Sequence, residues 1–275
     1  MLRCGRFSLP LDRPLLMGVV NVTPDSFSDG GDFADAAAAS AHARRLAAEG
    51  ADLLDIGGES TRPGAPAVSE DEELERVLPV LEALRDIPVP VSVDTRRARV
   101  MREALAAGAS MINDIEALQS PGALEALAAR GCAVCLMHMQ GRPATMQQDP
   151  HYNDVVSEVK AFLAERIAAA ERAGIARNRL VADPGFGFGK SAVHNLQLLA
   201  RLDELQALGV PIMAGLSRKS VLGAVTGRPV TERLAASVAA ALLAAQAGAT
   251  ILRVHDVKET RDALAVWQAM RAAQT

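Results

Sequence analysis

The stretch DPGFGFGKS, residues 183–191, has the composition of a phosphate-binding loop. A nucleotide-hydrolysing P-loop follows the pattern G-x-x-x-x-G-K-[ST], which would require glycine where this chain has Pro184. The dinucleotide fingerprint G-x-G-x-x-G also fails, because Gly185, Gly187 and Gly189 are spaced two and two residues apart. The loop by itself therefore does not indicate a nucleotide, and its chemistry depends on the elements around it.

Side chains that can bind ions or polar ligands recur along the chain directly after apolar runs. In chain order they are Asn21, Glu59, Thr61, Arg62, Asp94, Asn113, His138, Asp183, Ser217, Lys219, Arg253 and His255. Carboxylates accept paired N–H groups, cationic side chains bind anions, and an amide oxygen can be a ligand of Mg2+. These residue types suit a small polar ligand if the fold brings them together.

An alanine-rich helical segment, a glycine and an aliphatic run recur as one phrase. The copies are LAAEGADLLDIGG, ALAAGASMINDI, LAARGCAVCLMHM, QALGVPIMAGLS and AAQAGATILRVHD. Each predicts a helix ended by a glycine and a following strand that is buried on both faces. LLMGVVNVT, VPVSVDT and RLVADPG add three strands, so eight strands alternate with helices.

Eight parallel strands of this kind predict an α/β fold, a (β/α)8 TIM barrel. We expect one domain over residues 1–275, with residues 1–14 as a short N-terminal extension. An open, doubly wound sheet is the alternative architecture. The barrel is favoured because nearly every strand is followed by a polar residue, whereas an open sheet places only the strands near its switch point at a site.

Two connections after predicted strands, residues 22–35 and 60–72, are longer than ordinary βα turns. Both are rich in Pro, Gly, Ser and Asp, a composition that buries little apolar surface. We expect both loops to be mobile in the free protein and to become ordered over bound ligand. The second ends in Ser-Glu-Asp-Glu at residues 69–72, a capping box that predicts a helix start.

The composition disfavours several classes of protein. Of the 275 residues, 49% are hydrophobic and 23% are charged, the net charge is −4, and no basic run occurs. We therefore expect neither a nucleic-acid nor a membrane partner, and the lack of a recognisable signal or membrane span favours the cytoplasm. Cys132 and Cys135 form a C-x-x-C, but a strand would direct them to opposite faces, which predicts structural cysteines.

Taken together, the motifs resemble the dihydropteroate synthase family, pterin-binding barrels of folate biosynthesis. The matching stretches are MGVVNVTPDSFSDGG, DIGGESTRPGA, SVDT, INDI, MHMQGRPATMQ, DPGFGFGK, GLSRKS and RVHDV, in the family's order across nearly the whole chain. Ala236 departs from the family's frequent glycine and should affect only helix packing. The resemblance implies a transferase that joins 6-hydroxymethyl-7,8-dihydropterin diphosphate to 4-aminobenzoate, giving 7,8-dihydropteroate and diphosphate, with Mg2+ as cofactor.

The same resemblance implies roles for individual residues. The expected catalytic residues are Asp94, Lys219 and Arg253, and the expected pterin site consists of Asp94, Asn113, Asp183, Lys219 and Arg253. The diphosphate is expected at Asn21, Thr61, Arg253 and His255, with Asn21 also the Mg2+ ligand. The expected contacts of 4-aminobenzoate are Phe188, Ser220, Arg62 and Pro63.

The order of bond breaking and bond making depends on Asp94. An aromatic amine is a weak nucleophile, whereas a dihydropterin methyl cation is delocalised into its ring, so we expect diphosphate to leave before the amine attacks. Asp94 would then stabilise developing positive charge. The alternative interpretation is that Asp94 only caps the strand-to-helix turn of VDTRRA.

Three other functions stay open from the residues alone. A metal-dependent barrel hydrolase would need several strand-end histidines, and only His138 and His255 follow predicted strands. A pterin-dependent methyl-transfer domain and a catalytically silent pterin-binding paralogue would share part of the site. Residues 234–247 are apolar around most of a helix, which predicts a homodimer interface unless the alanines merely favour helix formation.

Overall fold

The computed structural model describes residues 1–22, 32–60 and 68–273, except for the side chains of residues 32–35. Three predicted site residues, Thr61, Arg62 and Pro63, lie outside the described residues. Most of the two long loops lies outside them as well, so their predicted mobility stays a prediction.

Eight parallel strands form the centre of the molecule. After an antiparallel hairpin, β1 (Leu2–Cys4) and β2 (Phe7–Leu9), they are β3 (Leu15–Asn21), β4 (Leu53–Gly57), β5 (Val91–Asp94), β6 (Met111–Asp114), β7 (Ala133–Met137), β8 (Leu180–Asp183), β9 (Met213–Ala214) and β10 (Ile251–Val254). Their spatial order is β8-β7-β6-β5-β4-β3-β10-β9. A parallel bridge between Ala182 and Ile212 joins the two ends of this sheet. The predicted (β/α)8 barrel is confirmed, and the open sheet is wrong.

Helices surround the strands and return the chain to the start of the next strand. They are α1 (Asp32–Ala48), α2 (Glu70–Ala83), α3 (Ala98–Ala106), α4 (Ala123–Ala128), α5 (Val155–Arg172), α6 (Ala192–Ala200), α7 (Ser220–Thr226), α8 (Leu234–Gln246) and α9 (Val257–Ala272). None of the helices in the described part of the chain has the length and apolar character needed to cross a membrane.

Most helices begin or end at the capping residues and glycines that the sequence predicts. Gly50 and Gly248 have φ of 101° and 95°, a region that favours glycine, and each follows a helix. One copy of the repeated phrase differs, because α4 ends at Ala128, before Gly131. The N-cap of α2 is Ser69, whose side chain accepts a hydrogen bond from Glu72 N at 3.2 Å, so the predicted start of that helix is confirmed.

Two apolar cores lie on the two sides of the strands. The larger one packs strands against helices, and the smaller one fills the N-terminal end of the barrel with Leu15, Met17, Leu53, Met111, Ala133, Cys135, Val181, Met213 and Ile251. Leu2 and Cys4 of the hairpin belong to the inner core and are fully buried, so the N-terminal extension closes this end of the barrel. Cys132 belongs to the outer core and Cys135 to the inner one, which confirms that they face opposite sides.

Candidate functional site

The site is formed by the inward-facing residues that follow the inner core along the strands. Side chains alternate between the two faces of a strand, so the residue two positions after an inner-core residue also faces the barrel interior. Two positions after Leu53, Met111, Val181 and Ile251 stand Asp55, Asn113, Asp183 and Arg253. Strand register places Asp94 beside Gly57 on one side and Asn113 on the other. Polar groups therefore meet at the C-terminal end of the barrel, as the sequence predicts.

Arg253 is held between two carboxylates. Its Nε donates to Asp55 Oδ2 at 2.7 Å, and its Nη2 donates to Asp94 Oδ2 at 3.1 Å. The Asp55 side chain is fully buried, while Asp94 and Arg253 expose 16% and 21% of theirs. Burial alone would lower the pKa of Arg253, but the two carboxylates outweigh it and raise that pKa, so the guanidinium stays cationic.

Asp55 is the site residue that the sequence-based prediction missed. Its Oδ2 also accepts a hydrogen bond from Asn113 Nδ2 at 3.0 Å, so one oxygen links Asn113 and Arg253. The signal was present, since an aspartate inside the apolar run LLDIGG must face either the barrel interior or the helices. Burying an ionised carboxylate is costly unless it is paired, and such pairing marks a polar site.

The carboxyl groups of this site have shifted acidities. Burial raises the pKa of Asp94 to about 7, with Arg253 opposing the rise and Asp55 adding to it. Burial also raises the pKa of Asp183, although Lys219 and the Gly185 N–H favour the ionised form. Near neutral pH, Asp94 is therefore close to the midpoint of its titration.

Asp94 does not hold the strand-to-helix turn that follows it. That turn is stabilised by Thr95, whose Oγ1 accepts a hydrogen bond from Arg97 N at 3.2 Å. Asp94 instead pairs with Arg253 inside the barrel. The interpretation of Asp94 as a turn cap is wrong.

Asp114, the neighbour of Asn113, faces a loop and not the barrel interior. Its carboxylate accepts hydrogen bonds from Glu116 N at 2.8 Å and Leu118 N at 2.7 Å. Burial raises the pKa of Asp114 to about 7 despite these two donors. Asp114 thus shapes the β6–α4 connection, where Ala117 and Leu118 have positive φ.

The glycine-rich loop after β8 packs directly on the backbone that follows β7. A Cβ on Gly185 would lie 1.9 Å from His138 O, and one on Gly189 would lie 2.3 Å from Gln140 O, so only glycine fits at either position. Gly185 N donates to Asp183 Oδ1 at 2.7 Å, which fixes the carboxylate at the start of the loop. Gly185 and Gly189 are therefore required because the backbone of this loop passes very close to the backbone that follows β7.

Lys190, the lysine that would bind phosphate in a P-loop, is buried beneath this loop. Its Nζ contacts Gly185 O and Phe188 O at 3.0 Å each and His138 Nδ1 at 2.9 Å. Burial lowers the pKa of Lys190 well below its usual value, and burial with the Lys190 charge lowers the pKa of His138 to about 3. Both side chains hold the loop together, and His138 is a neutral structural partner.

Lys219, in the segment between β9 and α7, adds a second cation to the site and contacts the glycine-rich loop. It is the N-cap residue of α7, and its Nζ donates to Phe186 O and lies 4.8 Å from the ring centroid of Phe188. Burial lowers the pKa of Lys219 to about 8, with Asp183 opposing the change. Ser220, the first residue of α7, is exposed beside it.

His255 and Arg218 complete the rim near the end of β10. His255 Nδ1 lies 2.9 Å from Ser217 Oγ, which also accepts from His255 N at 3.2 Å, so the serine orients the imidazole. Arg218 forms an ion pair with Asp256 at 2.5 Å. Arg218 is thus occupied by a neighbouring carboxylate and does not extend into the barrel interior.

Glu59 belongs to a separate ion-pair network at the edge of the site. Its carboxylate accepts from Arg97 at 3.0 and 3.2 Å and from Val68 N at 3.3 Å. Arg97 also pairs with Glu73, whose side chain exposes only 1%. This network therefore holds the end of β4 against the start of α2.

Comparisons with known proteins identify the family of the chain. A family model described as pterin binding enzyme matches residues 17–255. Dihydropteroate synthase of Escherichia coli (strain K12) is 52% identical over 268 residues, covering 97% of this chain and 95% of the relative. The chain belongs to the dihydropteroate synthase family.

Solved structures of the dihydropteroate synthase family have the same fold. One of Xanthomonas albilineans with 4-aminobenzoic acid has 62% identity and a TM-score of 0.91, and covers 96% of this chain and 95% of its own. One of Burkholderia cenocepacia complexed with 7,8-dihydropteroate has 54% identity and a TM-score of 0.91, and covers 99% and 97%. Membership of this transferase family decides against the metal-dependent hydrolase.

Proposed function

We propose that the chain condenses 6-hydroxymethyl-7,8-dihydropterin diphosphate with 4-aminobenzoate, giving 7,8-dihydropteroate and diphosphate in folate biosynthesis. The observation that carries the proposal is the meeting of Asp94, Asn113, Asp183, Lys219 and Arg253 at the C-terminal mouth of the barrel. The reaction needs both signs of charge there, because a pterin cation and an anionic leaving group separate within one site.

The pterin ring is bound between Asp183 and Asn113. Asp183 Oδ1 accepts a hydrogen bond from Gly185 N, whereas Oδ2 has no hydrogen-bond partner among the described residues. A carboxylate in this position accepts the adjacent N–H donors of the ring's guanidine-like edge at low dielectric. Lys219 adds a cation for the ring carbonyl or a ring nitrogen, and its charge is available below about pH 8.

The diphosphate is bound by Arg253 and His255, together with Asn21 and Thr61. Arg253 donates from Nε and Nη2 to Asp55 and Asp94, which leaves Nη1 for the leaving group. His255 follows β10 directly, and its contacts with Ser217 Oγ hold the imidazole at the rim close to Arg253 in the chain. Phe188, Ser220, Arg62 and Pro63 are proposed to contact 4-aminobenzoate, with Phe188 half-exposed as an apolar wall.

The reaction proceeds in two bond changes. The carbon–oxygen bond between the methylene and the diphosphate breaks first, and its electron pair leaves with the diphosphate. The ionised Asp94 faces the resulting cation, while Arg253 balances the leaving group. The amine lone pair of 4-aminobenzoate then forms the carbon–nitrogen bond, and the proton that the amine loses is released to solvent.

Mg2+ is the proposed cofactor, and the residues present fit it. Asn21 Oδ1, at the end of β3, makes no hydrogen bond with the described residues, and a Cβ at Gly57 would lie 3.9 Å from it. A single neutral oxygen suits Mg2+, which keeps several waters and binds through substrate phosphates. When bound, the ion neutralises charge on the diphosphate. In calorimetry, Mg2+ should tighten diphosphate binding to the parent protein and have a smaller effect on Asn21→Ala.

The deciding experiment measures both products of the condensation. Purified protein with the dihydropterin diphosphate, 4-aminobenzoate and Mg2+ should release diphosphate and form dihydropteroate in equal amounts. Omission of 4-aminobenzoate should leave no dihydropteroate. Pterin binding without diphosphate release would instead identify a catalytically silent paralogue, and loss of both would reject the proposal.

A homodimer is proposed through the outer face of α8. Leu234 and Leu243 expose 44% and 52% of their surface there, and Val225 and Val230 nearby expose 62% and 51%. The opposite face of the helix, with Ala240, Ala241, Ala244 and Ala245, packs into the core. Light scattering at micromolar concentration should give a dimer, and Leu243→Lys should give a monomer. A monomeric parent would reject the interface.

The location of the protein in the cytoplasm stays a prediction.

A further inference from the structure

Asp55 is buried behind Asn113 and Arg253, so it can act on the pterin only through these two neighbours. It is 0% exposed, and its Oδ2 accepts from Asn113 Nδ2 at 3.0 Å and from Arg253 Nε at 2.7 Å. Its other oxygen, Oδ1, is buried without a partner among the described residues. The two contacts join β4 to β6 and to β10 across the barrel interior.

The contact between Asp55 and Asn113 determines the orientation of the amide. An ionised carboxylate has only acceptors, so it must face the NH2 end of the amide and not its oxygen. Asn113 Oδ1 therefore lies at the other end, where it is buried and lacks a hydrogen-bond partner within the described ranges. A buried acceptor of this kind costs free energy until a donor reaches it.

We propose that Asp55 is a positioning residue that sets the order of donor and acceptor on the Asn113 amide, so that the site accepts only a ring with an N–H donor at Asn113 Oδ1. This inference rests on the proposed function, because it takes the pterin ring as the ligand of Asn113. With the amide reversed, its NH2 group would face the ring N–H, and two donors would meet without an acceptor. Asp55 thus contributes to specificity without touching the substrate.

The first test measures how much Asn113 contributes to ring binding with and without Asp55. The probe is 6-hydroxymethyl-7,8-dihydropterin, which lacks the diphosphate, measured by calorimetry. Asn113→Ala should weaken binding about tenfold or more in the parent, as expected for the loss of a buried hydrogen bond. In an Asp55→Ala background, Asn113→Ala should weaken dihydropterin binding by less than about threefold, because the Asn113 amide is then no longer oriented.

Ser92 provides the matched control. It pairs with Asp55 in register on the neighbouring strand, is equally buried, and has a hydroxyl with no hydrogen-bond partner in the described part of the chain. In a Ser92→Ala background, Asn113→Ala should weaken dihydropterin binding as much as it does in the parent. Equal costs of Asn113→Ala in the parent and in Asp55→Ala would overturn the proposal.

A second measurement does not depend on catalysis or on the fate of Asp55→Ala. In a ¹H–¹⁵N spectrum of the free protein, the Asn113 side-chain amide is assigned by its loss in Asn113→Ala. The isosteric Asp55→Asn should shift the hydrogen-bonded amide proton upfield, because a neutral oxygen is a weaker acceptor than a carboxylate. Ser92→Ala should leave that proton in place.

The two outcomes separate this inference from the proposed function. An unchanged Asn113 amide signal in Asp55→Asn would overturn the positioning role even in an active enzyme. A shifted amide signal in a protein that neither binds the dihydropterin nor releases diphosphate would reject the proposed function, while the contact between Asp55 and Asn113 would stand.

Discussion

The barrel interior has two layers that are built on the same strands but differ in chemistry. The lower layer includes Leu53, Met111, Val181 and Ile251, all fully buried and apolar. Two residues further along the same strands stand Asp55, Asn113, Asp183 and Arg253, which carry charge or hydrogen-bonding groups. One step of two residues, about 6.6 Å along a strand, therefore separates packing from chemistry.

The comparison shows how a barrel tolerates several buried charges. The lower layer and the β1–β2 hairpin close one end, so the upper layer is open to solvent and ligand only at the other end. Within the upper layer, each carboxylate in contact with Arg253 is partly neutralised by it. The apolar floor raises the strength of these interactions because it excludes water. Substitutions in the upper layer should therefore change function, and those in the lower layer should change stability.

Among substitutions in the upper layer, Asp94→Asn should lower kcat the most. The change is nearly isosteric but removes the negative charge that faces the proposed cation, so we expect kcat to fall about 100- to 1000-fold, the scale seen when one preorganised electrostatic contact is lost. Steady-state kinetics with both substrates measure it, and circular dichroism confirms the fold. A kcat within threefold of the parent would remove the proposed role of Asp94.

Asp183→Asn should affect binding more than the chemical step. An amide places a donor where the carboxylate accepts from the pterin ring, so pterin affinity should weaken by about 1–3 kcal/mol. The signature is a raised KM for the pterin substrate with a smaller change in kcat. If kcat fell as far as in Asp94→Asn while KM stayed constant, Asp183 would belong to the chemistry and not to recognition.

The pH dependence of kcat/KM tests the charge states of the upper layer. Asp94 must be ionised and Lys219 protonated, and burial raises the pKa of Asp94 to about 7 and lowers the pKa of Lys219 to about 8. Activity should therefore rise with pH through about 7, fall above about 8, and lose roughly tenfold per unit well outside this window. The charged groups acting on Asp94 are Arg253, Asp55, Glu73 and Asp114.

Lys219→Arg provides the control for the alkaline limb of that profile. A guanidinium stays protonated throughout this range, so the variant, whatever its absolute rate, should lose the fall above pH 8 and keep the acidic limb. A profile that is flat from pH 6 to 9 in the parent would contradict both assignments.

The sequence predicted the strands and most upper-layer residues because a polar side chain at the end of an apolar run is a local signal. Asn113, Asp183 and Arg253 are of this kind, and the structure brings them to one end of the barrel as expected. Their roles as ligands, and those of Thr61, Arg62 and Pro63, stay predictions.

The partners of Asp55 and Lys190 could not be assigned from the sequence, because they are set by three-dimensional register. Asp55 contacts Arg253 across 198 positions of the chain, which requires β3 to pair with both β4 and β10. Lys190 stands where a phosphate-binding lysine would be expected, yet its neighbours are backbone carbonyls brought in by the glycines. The residue types and their spacing predict neither the Asp55–Arg253 contact nor the carbonyl contacts of Lys190.

Ile251→Val should have the smallest effect and defines the boundary between the layers. Ile251 is fully buried and pairs in register with Leu15 and Met213, two residues before Arg253 on the same strand. Loss of one methylene should reduce the free energy of unfolding by about 0.5–1.5 kcal/mol in urea denaturation. Because the change lies on the apolar side of the boundary, kcat and the pterin KM should stay within about twofold of the parent. A large fall in kcat with unchanged stability would show that the lower layer positions Arg253 as well as supporting the barrel, and the separation of the two layers would then be wrong.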